Sequence, residues 1–102
     1  MSVLRDILKE EYDRLSALRE KYVDELKCLP KGSISAKKRN NKNYYYLAYR
    51  VGNKVKFKYV GKENSDSLKA LKVELSKRKE LEIKLIQINK QINELSKSIN
   101  EK

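Results

Sequence analysis

The sequence predicts an α+β fold in which two long antiparallel helices form a coiled-coil stalk and a small two- or three-stranded antiparallel sheet is inserted between them. Apolar residues recur at three- and four-residue steps in both flanks, as they do on one face of a helix. Between the flanks, the residue types alternate in the manner of strands. The three Gly and the single Pro all lie within residues 30–61, so neither predicted helix contains a breaker.

The first helix is predicted over residues 2–29 and carries one apolar stripe. The members of the stripe are Leu4, Ile7, Leu8, Leu15, Leu18, Tyr22, Leu26 and Leu29. Four of them are seven residues apart, which is the spacing of a coiled-coil seam. Ser2 is expected to cap the start, and Pro30 to end the helix, because proline disfavours the helical conformation of the residue before it. Cys28 lies near the end of the stripe and is expected to be a small buried hydrophobe.

A basic β module is predicted over residues 33–60. Strands at 44–51 and 54–60 are joined by a two-residue turn at Gly52-Asn53. Residues 33–38 are a candidate third strand, since an isolated hairpin is marginally stable in water. Arg39-Asn40-Asn41-Lys42 is then expected to be the loop that leads from this strand to the hairpin.

The register of the hairpin determines which side chains share a face, because successive side chains of a strand point to opposite sides. If Val51 pairs with Lys54, the face predicted to be the core holds Tyr44, Tyr46, Ala48, Arg50, Val55, Phe57 and Tyr59. The face predicted to be exposed holds Tyr45, Leu47, Tyr49, Lys54, Lys56 and Lys58.

The second helix is predicted over residues 65–100, with Ser65 as its N-cap and Asp66 beside the positive end of the helix dipole. Its apolar stripe is interrupted at Arg78 and Glu82. Because this helix is longer than the first, part of its stripe is surplus and must fray, fold back or pair with another chain, the last giving a homodimer. The whole chain, residues 1–102, is expected to be a single domain.

The net charge is confined to one segment. Residues 26–62 contain eleven of the 25 Lys and Arg residues and none of the 14 Asp and Glu residues, so this segment accounts for the formal net charge of +11. A cationic, tyrosine-rich module of this kind is typical of a surface that binds a polyanion.

The candidate nucleic-acid-binding residues all lie in this segment. Phosphate contacts are predicted for Lys37, Lys38, Arg39, Lys42, Lys54, Lys56 and Lys58. Tyr45 and Tyr49 are predicted to stack on bases, and Arg50 is a further candidate although its predicted face is the core. The alternatives are that Lys54, Lys56 and Lys58 belong to an ordinary solvated face and that residues 37–42 are a mobile loop.

The sequence also indicates several absences. No pattern of a catalytic site emerges, so we expect no enzyme activity and no catalytic residues. With no His and one Cys, a conventional zinc site is not expected, and neither a metal nor a cofactor is predicted. No apolar run approaches the ~20 residues of a membrane span, no signal peptide is recognisable, and the lone Cys fits a reducing compartment, so we expect a cytoplasmic protein without membrane contact.

A resemblance to a known family rests on four motifs and the long helix that follows them. The motifs are Pro30-x-Gly32-Ser33-Ile34, then Tyr44-Tyr45-Tyr46-Leu47-Ala48-Tyr49-Arg50, then Gly52-Asn53-Lys54, then Lys58-Tyr59-Val60. Over residues 29–95 the chain resembles a family of small prokaryotic proteins of unknown function, which implies a compact β segment inside a helical pair. Many members carry a Cys-rich, His-containing insertion before the tyrosine run. This chain has residues 37–42 there instead, so the resemblance implies no metal binding. The hairpin is also similar to β segments near the start of some transposases, which implies a mobile-element setting.

Three functional hypotheses follow from these observations. The leading one is a non-enzymatic nucleic-acid-binding protein of a bacterium, phage or mobile element, which binds DNA or RNA through a basic-aromatic β-hairpin and loop. The alternative is a small basic inhibitor or adaptor that docks on an acidic or nucleic-acid-binding surface of a host complex. In the third, the chain is a structural coiled coil that self-associates through the second helix, and its charge is incidental.

Overall fold

A computed structural model describes residues 3–100 and confirms the predicted α+β fold. Its elements are α1 (Val3–Lys27), β1 (Ser33–Arg39), β2 (Lys42–Val51), β3 (Lys54–Lys62) and α2 (Asp66–Asn100). The two helices therefore flank a three-stranded antiparallel sheet with the strand order β1-β2-β3. Ser2, the predicted cap of the first helix, lies outside the described residues.

Backbone contacts divide the described residues into two compact units. One is a helical unit of residues 3–28 and 80–100, and the other is a sheet unit of residues 29–79. The first part of α2, residues 66–79, thus belongs with the sheet, and the rest belongs with α1. The homodimer through the surplus of the second helix stays a prediction. The single domain over residues 1–102 stays a prediction.

The core of the helical unit is built from the predicted stripes. Leu15 of α1 packs with Ile88 and Ile92 of α2, and each of the three side chains is 4–6% exposed. Four partly buried residues surround them: Tyr12, Leu18, Tyr22 and Leu95. Tyr12, near the start of α1, lines one surface depression with Ile99, near the end of α2, so the two helices are antiparallel here.

The first turns of α1 do not take part in this core. Leu4 and Ile7, which the stripe predicted to be packed, are 64% and 55% exposed. The prediction of a continuous apolar stripe is therefore wrong for the start of the helix. Within the described residues, the packed part of the stripe lies further along α1 and includes Leu15, which packs against Ile88 and Ile92 of α2.

The candidate third strand is present as β1. Its pairing with β2 corrects the loop that was predicted over residues 39–42. The register runs from Ser33 paired with Ala48 to Arg39 paired with Lys42. The connection is therefore only Asn40-Asn41, both with positive φ (52° and 63°), as a type I′ turn requires. Residues 37–39 and Lys42 are not in a loop, because all four are paired strand residues.

The register of β2 with β3 is as predicted from Val51 paired with Lys54 up to Tyr46 paired with Tyr59. Beyond that point a β-bulge shifts the pairing, so that Tyr45 faces Gly61 and Tyr44 faces Lys62. The bulge brings Lys62 onto the same side of the sheet as Tyr44, since paired residues share a face.

Gly61 shows on which side of the sheet α2 begins. A Cβ atom placed on Gly61 would lie 2.5 Å from Ser65 Oγ and 4.0 Å from Ser67 Cβ. Because Gly61 is paired with Tyr45, that Cβ would point to the Tyr45 side of the sheet. The start of α2 therefore lies on this side, which we call the helix-side face. Leu68, in the first turn of α2, is only 2% exposed.

The opposite side, which we call the outer face, is the one that the sequence predicted to be the core. That prediction is wrong, because Val55, Phe57 and Tyr59 of this face are 53%, 49% and 51% exposed. The helix-side face instead carries the facing aliphatic pair of Ile34 and Leu47, both partly buried. The second helix therefore begins on the face that the sequence predicted to be exposed, while Lys54, Lys56 and Lys58 of that face are exposed as predicted.

The ends of the helices are fixed by specific contacts. Ser65 is the N-cap of α2 as predicted, since its Oγ accepts a hydrogen bond from the Leu68 N–H at 3.3 Å. α1 ends at Lys27, two residues earlier than expected, and Cys28 is exposed, so its predicted burial is wrong. Arg78, which interrupts the apolar stripe, donates from Nη1 to the Leu29 carbonyl oxygen at 3.2 Å, so the interruption has a structural use.

Candidate nucleic-acid interface

The sheet distributes the ten predicted site residues over its two faces. Four lie on the outer face: Lys37, Arg39, Lys42 and Arg50. Six lie on the helix-side face: Lys38, Tyr45, Tyr49, Lys54, Lys56 and Lys58. All eight cations are exposed, while the two tyrosines are partly buried. The predicted residues are therefore spread over both faces of the sheet and do not form a single contiguous patch.

The lysine row comprises Lys54, Lys56 and Lys58 on the helix-side face. β3 is an edge strand, so these side chains have a paired neighbour on one flank only. Alternate residues of a strand are about 6.6–7 Å apart, so the three lysine side chains leave the backbone at even intervals along the edge. Tyr49 is paired with Lys56, so an aromatic ring stands beside the middle lysine. This arrangement offers a line of positive charge along an open edge.

The outer face carries a cluster of four aromatic side chains. We call Tyr44, Tyr46, Phe57 and Tyr59 the aromatic cluster. The Tyr46 and Tyr59 rings meet edge to face, with centroids 5.5 Å apart and an interplanar angle of 64°. The Tyr44 and Tyr59 centroids are 6.4 Å apart with the rings tilted by 46°. Such geometries are favourable for aromatic pairs, so the cluster is held together although its β3 members are half exposed.

Lys37 crosses the aromatic cluster from β1. Its Nζ lies 4.5 Å from the centroid of the Phe57 ring and 5.0 Å from that of Tyr46. Both distances are within the range of a cation–π interaction, which at an exposed site contributes about 0.5–1 kcal/mol. The outer face thus combines π-faces and a positive charge in direct contact.

The charges of the sheet contrast with those of α1. No Asp or Glu lies within residues 26–62, so no carboxylate of the segment neutralises the sheet. In α1, by contrast, acids and bases lie one turn apart, as in the ion pairs of Arg14 with Glu11 and of Lys27 with Asp24. The hydrogen bond from Arg14 lowers the pKa of the Glu11 carboxyl below its ordinary value. The positive field of the molecule therefore originates in the sheet.

Sequence reasoning missed five residues of the outer face: Tyr44, Tyr46, Phe57, Tyr59 and Lys62. The aromatic ones were assigned to the core, because alternating apolar residues look the same whether they are covered or exposed. Lys62 was missed because the bulge that turns it to this face is not visible in the residue pattern. Gly61, four residues before a helix cap, was the available signal that α2 folds onto the other side.

Two further properties bear on the class of site. Within residues 3–100, no group of three or more His, Cys, Asp or Glu side chains is arranged to hold a metal ion. In the same part of the chain, neither helix has a stretch that is both long and apolar enough to cross a membrane.

Comparison with known proteins places the chain in a family but supplies no function. No curated protein and no solved structure matches it. A family model described as a domain of unknown function (DUF6788) matches residues 2–70, which is more than half of the chain and includes α1, the whole sheet and the start of α2. The match agrees with the expectation of an unknown-function family. On this match, the chain belongs to the DUF6788 family.

Proposed function

We propose that this protein binds nucleic acid without acting as an enzyme, and that the three-stranded sheet is its binding surface. The observation that carries the proposal is the charge of the sheet. Nine Lys and Arg residues lie on three short strands, in a segment that contains no Asp or Glu. Such a surface attracts phosphates at long range and neutralises them on contact.

The supporting geometry is the combination of cations with aromatic rings on both faces. Tyr49 stands beside Lys56 on one face, and Lys37 lies over Phe57 on the other. Surfaces that bind nucleic acid combine these two groups, because ammonium and guanidinium groups contact phosphates while aromatic rings contact bases. A bacterial, phage or mobile-element setting belongs to the same proposal and rests only on the resemblances to small prokaryotic proteins and to transposase β segments.

The direct test is fluorescence anisotropy with labelled single- and double-stranded DNA and RNA across a salt series. If about six phosphates are neutralised, the affinity for duplex falls on the order of 10³-fold between about 50 and 200 mM salt, and that for a single strand falls a few hundred-fold. An affinity that does not change with salt would contradict the proposal.

A pair of variants with equal charge change separates the sheet from the rest of the molecule. The first replaces the lysine row, Lys54, Lys56 and Lys58, by Glu. The matched control replaces three exposed lysines of α2 by Glu: Lys72, Lys90 and Lys97. The sheet variant should lose at least ~10-fold in affinity and show a flatter salt dependence, while the control stays within a few-fold of the unaltered protein. Equal losses in both variants would contradict a site on the sheet.

An acidic protein surface could meet the same cations, and a pull-down separates this outcome. If a single acidic protein is recovered in stoichiometric amount after nuclease treatment, and the purified chain binds no oligonucleotide, the sheet is a protein-docking surface. Recovery that depends on intact nucleic acid supports the proposal.

A further inference from the structure

The half-exposed aromatic cluster of the outer face indicates the class of nucleic acid that this sheet takes. We infer that the ligand is single-stranded and that its bases stack on Phe57 and Tyr59. This inference rests on the proposed function, because it requires that the sheet binds nucleic acid at all.

Phe57 and Tyr59 present aromatic surface to solvent. Phe57 and Tyr59 are about half exposed, although aromatic side chains of this size are usually among the more buried residues of a fold. The start of α2 lies on the helix-side face, so the helix leaves these rings uncovered. Exposed, contiguous aromatic surface marks a binding site more often than scattered apolar residues do.

The spacing of Phe57 and Tyr59 along β3 suits an unpaired strand. Phe57 and Tyr59 are alternate residues of β3, so their side chains leave the backbone about 6.6–7 Å apart on the same face. Bases along one strand of a duplex are about 3.4 Å apart, and each is covered by its neighbours. Two rings separated by twice that distance accept two bases only when the strand is unpaired and extended. The ring spacing therefore favours a single strand over a duplex.

Cations at both ends of the aromatic cluster supply the phosphate contacts. Arg50, paired with Val55, lies at the end of the outer face next to the β2–β3 turn. Lys62, paired with Tyr44, lies toward the other end, where Arg39 and Lys42 extend the positive surface. A strand laid along β3 would meet a cation before and after the aromatic cluster.

Lys37 is the movable part of this surface. Its Nζ covers the Phe57 and Tyr46 rings in the free protein, and its side chain is exposed. A base that stacks on Phe57 takes the place of this ammonium group, which is then available to a phosphate of the same strand. Lys37 thus changes from a contact with rings to a contact with the ligand.

The experiment measures the anisotropy of labelled oligothymidylate, oligouridylate and a duplex of equal length across one salt series, and compares affinities at equal salt concentration. Phe57→Leu and Tyr59→Leu remove the rings and keep apolar bulk at half-exposed positions. Tyr12→Leu is the control, because it removes a ring from the helical unit, outside the sheet. Tyr59→Phe keeps the ring and removes only the hydroxyl. Circular dichroism and thermal unfolding show whether each variant folds.

The expected results distinguish stacking from charge. The unaltered protein should bind the single strands more tightly than the duplex. Each of the two leucine variants should weaken single-strand binding about tenfold with an unchanged salt dependence, because stacking releases no counterions. Tyr12→Leu should bind as the unaltered protein does, and Tyr59→Phe should keep most of the affinity because it keeps the ring. The DNA and RNA arms show which sugar is preferred.

Two results would overturn the inference. One is duplex binding as tight as single-strand binding, and the other is full affinity in folded Phe57→Leu and Tyr59→Leu variants. Either result with salt-dependent binding by the unaltered protein leaves the proposed function standing and removes only the stacking site. Absence of binding to every oligonucleotide at low salt removes the proposed function as well.

Discussion

At the scale of single residues, Lys37 occupies the ring surface on which we infer that a base stacks. Its cation–π contacts with Phe57 and Tyr46 contribute about 0.5–1 kcal/mol at an exposed site. Stacking of one base on an aromatic side chain contributes about 1–3 kcal/mol. A base therefore displaces the ammonium group at a net gain, and the ammonium group then pairs with a phosphate. In the free protein, Lys37 shields the rings from water without blocking the ligand.

Gly32 is the residue on which the attachment of β1 to β2 depends most closely. Its φ is 141°, and a Cβ atom there would lie 2.3 Å from the Ala48 carbonyl oxygen. Gly32→Ala therefore combines backbone strain with a steric clash, and we expect it to lower the free energy of unfolding by about 3–5 kcal/mol. The measurement is the urea unfolding curve followed by circular dichroism.

The matched control for this change is Gly52→Ala. Gly52 also has a positive φ, of 61°, but a Cβ atom there would meet nothing within 4 Å. We expect a loss of about 1–2 kcal/mol, from the backbone conformation alone. Equal losses at the two positions would show that the close approach of Gly32 to Ala48 is not important for stability.

At the scale of elements, α2 is shared by the two compact units. Leu68 is buried in the sheet unit, while Ile88 and Ile92 are buried against Leu15 in the helical unit. A single uninterrupted helix thus supplies buried apolar residues to both units. Arg78 lies between these buried residues in sequence and donates to the Leu29 carbonyl oxygen just after α1.

The stability of the helical unit should depend on Ile92 much more than on Ile86, an exposed isoleucine six residues earlier in α2. Ile92 is 4% exposed and belongs to the core cluster, so Ile92→Ala should destabilise by about 2–5 kcal/mol. Ile86 is 68% exposed, so Ile86→Ala should change stability by no more than about 0.5 kcal/mol. Thermal unfolding of the two variants checks the difference, and similar losses would contradict the assignment of the core.

The elements themselves were largely predictable from the sequence, whereas the buried side of the sheet was not. The three-four spacing of the flanks and the turn at Gly52-Asn53 specify helices and strands locally, whereas the two-residue turn at Asn40-Asn41 was predicted as a longer loop. Both faces of the sheet alternate in the same way, and the more aromatic one was taken as the core. The choice is made by tertiary contacts, since α2 begins beside Gly61 on the side of Ile34 and Leu47. The bulge that turns Lys62 outward likewise has no counterpart in the residue pattern.

At the scale of the whole molecule, charge is separated between the two units. Residues 26–62 account for the formal net charge of +11, and the rest of the chain is neutral. This separation was predictable because it depends on composition alone. The proposed class of ligand was not predictable from the sequence, because it depends on which aromatic side chains the fold leaves exposed. In the proposed function, long-range attraction by the sheet and short-range stacking on its outer face act on the same ligand.

The most direct test of the central claim is a residue-by-residue map of binding by nuclear magnetic resonance. Amide ¹H–¹⁵N shifts of the uniformly labelled protein are followed as oligothymidylate is added at low salt. We expect the perturbed amides to lie in the three strands, within residues 33–62, with the largest changes around Phe57 and Tyr59 of β3. Perturbations confined to the helical unit of residues 3–28 and 80–100, or none at saturating oligonucleotide, would contradict a nucleic-acid site on the sheet.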